Sequence, residues 1–84
     1  MEFPITRATL RALRQDAILA RSIVNYICRM VEYTVLNTKD YRYAYTIDPT
    51  VSKAVIGKIV EGLKYNFPDC GVVVTKTYIF VDWY

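Results

Sequence analysis

The sequence predicts an α+β fold: a long N-terminal helix, then β-α-β-β, with a three-stranded antiparallel sheet in the order 1-3-2 and the helices on one face. Three observations predict it. No proline or glycine interrupts a helical pattern from Thr6 to Leu36. Residues 41–47, Tyr-Arg-Tyr-Ala-Tyr-Thr-Ile, alternate strictly. From Val72 onward the chain is almost all strand-forming residues, broken only by Thr75-Lys76-Thr77. A switch of apolar period from 3.6 to 2 marks the change from helix to strand.

The first helix spans residues 7–36. Thr6 is placed as its N-cap, with Ile5 and Leu10 positioned to staple across it. Asn37 can take the left-handed conformation that ends a helix. The alternating run 41–47 is the first strand, since tyrosine, threonine and isoleucine fit a half-buried pleated surface. Asp48-Pro49 then reads as an N-cap followed by proline at the first helical position. This places the second helix at 49–66, ending before Pro68, which disfavours helix at the residue preceding it. Val51, Val55, Ile56, Ile59, Val60 and Leu63 form its apolar face, and Gly62 on that side permits close approach to the sheet. Strands at 72–75 and 78–83 close the chain as a hairpin. The last strand is the most apolar and is expected at the centre, with a crossover through the second helix carrying the chain to its far side.

Length and composition bound the function. Eighty-four residues make one domain, and a chain that short buries a modest share of its surface. Yet 54% of it is apolar, so part of that surface is expected to meet a partner. With no histidine, nucleophile–base chemistry would rest on lysine or carboxylate, and the carboxylates are scattered singly. No catalytic residue, metal ligand set or cofactor is expected, and the protein is not expected to be an enzyme. Two cysteines, Cys28 and Cys70, are too few for a disulfide framework or a metal site, and are expected as free thiols. Residues 17–36 have the length of a membrane span but contain Arg21, Asn25, Arg29 and Glu32. Each charge there costs roughly 2.5–3.5 kcal/mol at mid-bilayer, so no transmembrane segment is expected. Met1-Glu2-Phe3-Pro4 lacks the charged start of a secretory signal, and a cytoplasmic or intracellular location is expected.

Two glycine motifs invite a nucleic-acid reading and fail on their neighbours. Val55-Ile56-Gly57-Lys58 resembles the start of the backbone-clamping loop of KH domains, but Val60 stands where the second glycine belongs. Gly57-Lys58 lacks both the upstream glycine and the downstream Ser or Thr of a phosphate loop. A continuous helix explains the segment. The stripe of Tyr41, Tyr43 and Tyr45 either stacks bases on an open sheet face or belongs to the core. Its shared side with Ile47 favours the core, and on the other side Arg42 can pair with Asp82 across the sheet.

The first helix carries the functional signal. Five of the six arginines, Arg7, Arg11, Arg14, Arg21 and Arg29, fall on one stripe at 100° per residue, with Asn25 and Ile18 among them. They form either a solvated face or a surface for phosphates. Elsewhere around the helix, Leu10, Leu13, Ala17 and Ala20 share a side. About 30 helical residues span about 45 Å, whereas strands of this length reach only about 17–24 Å. One half of the helix must overhang the sheet, and the N-terminal half is expected to do so.

The C-terminal half has a further likeness. Tyr43-Ala44-Tyr45-Thr46-Ile47-Asp48, then Leu63-Lys64-Tyr65-Asn66-Phe67-Pro68-Asp69-Cys70, then Phe80-Val81-Asp82-Trp83 resemble short uncharacterised proteins encoded by large double-stranded DNA viruses. The resemblance covers residues 41–84 and implies a viral origin with a structural or accessory role, including association with the virus particle. The expected function is therefore that of a non-enzymatic structural or interaction protein. It self-associates through Leu10, Leu13, Ala17 and Ala20, as a homo-oligomer or with another protein. The alternative is a nucleic-acid-binding module using Arg7, Arg11, Arg14, Arg21 and Arg29.

Overall fold

A computed structural model describes residues 6–83. The elements follow the expected order: α1 (Arg7–Asn37), β1 (Arg42–Thr46), α2 (Lys53–Asn66), β2 (Gly71–Val74) and β3 (Tyr78–Asp82). The sheet is antiparallel in the order β1-β3-β2. Thr6 caps α1, its hydroxyl accepting from the Thr9 amide at 3.2 Å. The staple expected between Ile5 and Leu10 lies outside the described residues.

Two helix boundaries differ from expectation, each because a nearer polar group satisfies the backbone first. Asn37 remains helical, and its side-chain amide donates to the Tyr33 carbonyl. Thr38 ends α1 in an extended conformation, with its amide and hydroxyl both donating to the Thr34 carbonyl at 3.0 and 2.7 Å. Asp48 does not cap α2. Its carboxylate accepts from the Thr50 amide and hydroxyl at 2.9 and 2.7 Å, closing a turn around Pro49. These bonds hold the Asp48 carboxyl below the usual carboxylate range. The cap is Ser52, which accepts from the Val55 amide, so α2 starts at Lys53 rather than at Pro49.

The register pairs Arg42 with Asp82, Tyr43 with Val81, Ala44 with Phe80 and Tyr45 with Ile79; across the other edge Val73 faces Phe80. Alternation therefore sends Tyr43, Tyr45, Val72, Ile79 and Val81 to one side, where they join Val24, Ile27, Val55, Ile59 and Leu63 in the core. The hairpin between β2 and β3 is closed by Thr75, whose amide donates to the Tyr78 carbonyl and whose hydroxyl accepts from the Tyr78 amide.

Helices α1 and α2 run side by side in the same direction. Lys58 and Gly62 share a groove with Ala17–Val24, while Asn66 and Phe67 share one with Cys28–Leu36. Gly62 makes its close approach to α1 and not to the sheet: a Cβ there would stand 2.9 Å from Val24 Cγ2. The molecule is elongated, 50 × 24 × 17 Å. Its long dimension is set by α1, whose 31 residues span about 46 Å.

Candidate interaction surface

The residues of α1 buried in the domain are Ala20, Val24, Ile27, Val31 and Thr34. Their spacings are four, three, four and three, the repeat of a helix seam packed along its length. The same repeat continues toward the N-terminus through Ala17, Leu13 and Leu10. There the packing stops. Leu10 is 51% exposed, Ala17 is exposed and Leu13 is half-buried. Ile18 and Leu19 are also exposed. The N-terminal half of α1 thus overhangs, as its length required, and carries an unpartnered extension of the seam that the domain itself uses.

Of the four residues expected to mediate self-association, Ala20 is not available. It is 4% exposed and belongs to the core of its own domain. The seam shows which residues share a face, whereas the point at which α2 meets it decides which are already covered. Leu10, Leu13 and Ala17 remain.

Where the overhang meets the body, α1 and α2 leave an open groove of about 510 Å³. Its floor is Ala17, Ala20, Val24 and Gly62, and its rim carries Arg21, Lys58 and Tyr65. Tyr65 stands 86% exposed beside it. Small residues make the floor, so the helices approach closely and the rim side chains stand above it.

All five arginines of α1 are exposed. Among the described residues the ion pair is Arg42 with Asp82 at 4.0 Å, and none of the five joins one. Arg7, Arg14 and Arg21 recur every seven residues, which sets them along a single flank of the Leu10–Leu13–Ala17 seam. Arg11 and Arg29 lie further round with Asn25. Asp16 stands on the opposite flank.

The sheet has a second exposed surface that the sequence did not reveal. On the side away from the helices, Phe80 occupies the centre of β3 between Ala44 and Val73. Tyr78 lies beside it with ring centroids 5.7 Å apart, and the Arg42 guanidinium sits 5.3 Å over the Phe80 ring. Gly71 leaves space for the Asp82 carboxylate, with which a Cβ would collide. The tyrosine stripe of β1 is divided. Tyr43 and Tyr45 pack on the helix side, and Tyr41 is exposed. Tyr26 of α1 meets Tyr45 edge-on at 6.1 Å. Burial, and then charge and hydrogen bonding with Tyr26, push the Tyr43 phenol up to about 12. Burial first, then the charges of Asp48 and Tyr26, also raise Tyr45. These rings are structural and are not presented for stacking.

Gly57 lies inside α2, which continues without a break from Lys53 to Asn66, so no backbone-clamping loop forms there. Among the described residues no group of three His, Cys, Asp or Glu side chains could hold a metal ion. No helix among them is long and apolar enough to cross a membrane. Cys28 and Cys70 are both free. No protein-family model, curated protein or solved structure matches this chain. The viral resemblance of residues 41–84 therefore rests on its motifs alone.

Proposed function

We propose that this chain is a non-enzymatic interaction protein that pairs with a second copy of itself through the overhanging half of α1. The observation that carries the reading is the continuity of the seam: positions buried from Ala20 to Thr34 extend, with the same spacing, into the exposed Leu10 and Ala17 and the half-buried Leu13. Two copies contribute four leucines. Each gains roughly 1.5–2 kcal/mol on burial, against an association cost of at least about 4 kcal/mol. The pairing is accordingly weak, millimolar or looser.

Sedimentation velocity across a wide concentration range tests it. The parent protein shifts from monomer to dimer as concentration rises. Leu13→Glu stays monomeric with an unchanged helical circular dichroism spectrum, because the substituted side chain lies outside the core. A monomer at every concentration in both proteins refutes the reading.

A second reading is nucleic-acid binding by the arginine stripe. It is favoured by five exposed guanidiniums that form no ion pair with a described residue. Heparin retention that falls steeply with salt would support it.

A further inference from the structure

We infer that pairing and nucleic-acid binding are a single coupled event, because an antiparallel pair of α1 helices assembles a continuous edge of arginines that neither copy has alone. The inference rests on the self-association proposed above.

The fold dictates the direction of pairing. From Ala20 onward the seam is occupied by α2 and the sheet of the same chain. A parallel partner would bring its own α2 and sheet to that same end and the same side. An antiparallel partner places them at the opposite end of the shared seam, away from the first copy's own α2 and sheet. In such a pair Leu10 of each copy lies against Leu13 of the other, and Ala17 lies opposite the capped end at Thr6. Only residues outside the core take part.

A two-fold axis across antiparallel helices brings like flanks together. Arg7, Arg14 and Arg21 occupy one flank, so the three from one copy interleave with the three from the other. Asp16 of both copies falls on the opposite edge. Within one copy the three arginines cover about 21 Å, and in the pair the six extend over about 28 Å at 1.5 Å per residue. Unneutralised, this row of like charges opposes association. A phosphodiester backbone, with a charge per about 1.7 Å of duplex, neutralises it. The partner is therefore a nucleic-acid chain running along the helix pair, held by its phosphates without regard to base sequence. By linkage, what strengthens pairing strengthens binding, and the reverse.

The test uses the full chain, a fluorescein-labelled DNA duplex of ~20 base pairs and the neutral substitution Leu13→Gln, which leaves every arginine in place. At about 1 M salt, where charges are screened beyond about 3 Å, the protein alone forms dimers and Leu13→Gln does not. A parent that stays monomeric there overturns the pairing itself. At low salt the parent binds duplex cooperatively as two copies. Leu13→Gln binds at least tenfold more weakly, with the slope of log affinity against log salt roughly halved as half the phosphate contacts are lost. If dimers form but Leu13→Gln binds duplex with the parent's affinity and slope, the coupling is overturned and pairing stands. The triple variant Arg7→Gln, Arg14→Gln, Arg21→Gln loses duplex binding and dimerises better than the parent at low salt. Failure to dimerise better overturns the antiparallel geometry. Vesicles rich in phosphatidylserine serve as a competitor, and displacement of duplex by them at lower charge concentration assigns the edge to membranes and overturns the nucleic-acid assignment.

Discussion

The same substitution at two glycines of α2 should change stability in opposite directions. Gly57 and Gly62 are both helical, and alanine in a helix interior is favoured over glycine by about 1 kcal/mol. At Gly57 a Cβ meets no atom within 4 Å, so Gly57→Ala should stabilise by up to about 1 kcal/mol. At Gly62 the new methyl would stand 2.9 Å from Val24 Cγ2 and 3.4 Å from Val24 Cγ1. Val24 is only 7% exposed, and a helical valine has essentially one rotamer, so its side chain cannot swing aside. The helices must separate instead. Overpacking of this kind costs about 1–3 kcal/mol. Set against the helix gain, Gly62→Ala should be destabilising by about 0–2 kcal/mol, and the two variants should differ by about 1–3 kcal/mol. Urea unfolding followed by helical circular dichroism measures this directly. In a domain of this size each kcal/mol also moves the melting temperature by about 4–8 °C. If Gly62→Ala stabilises as much as Gly57→Ala, α1 and α2 do not approach at Gly62 and the packing described here is wrong.

Alkaline pH should probe the tyrosine cluster. The Tyr43 phenol keeps its proton to about 12 in the folded protein, while the unfolded chain releases it near 10, so stability is steady below pH 10 and falls between 10 and 12. Phenolate absorbance should show a delayed titration by the tyrosine cluster whose last component Tyr43→Phe removes, and an unchanged titration in that variant would contradict the assignment. Burial pushes the Cys28 thiol up, so at mildly alkaline pH it should react with thiol reagents more slowly in the native protein than in urea. Both cysteines should be available after unfolding without reductant, and a shortfall from two would mean that a disulfide forms.

The architecture was legible because the apolar period changes cleanly along the chain. Arg42 can pair with Asp82 across the first and last strands, since opposite charges on the solvent side of adjacent strands favour a register, and the sheet sets the two opposite one another. Caps were less legible. Asp48 before Pro49 reads as a helix start, but its carboxylate closes a turn with Thr50, and Ser52 caps α2 instead. The overhang followed from length alone. The loss of Ala20 from the exposed seam did not, because it depends on where α2 lands. Tyr78 and Phe80 were missed for a related reason. In β3 both alternating sets, Ile79 and Val81 against Tyr78 and Phe80, are apolar or aromatic, so alternation alone does not say which faces the helices.

The elongated shape has a hydrodynamic consequence. A body of 50 × 24 × 17 Å drags more water than a sphere of equal mass, so a monomer elutes early from a sizing column and can pass for a dimer. End-to-end pairing that overlaps only the overhangs, about 18 Å of shared helix, would lengthen the particle to about 80 Å while scarcely thickening it. Self-association would then appear less as a gain in bulk than as a slowing of end-over-end tumbling, while spin about the long axis stays comparatively fast. Anisotropic rotational diffusion, rather than elution volume, is the solution property that separates one copy from two.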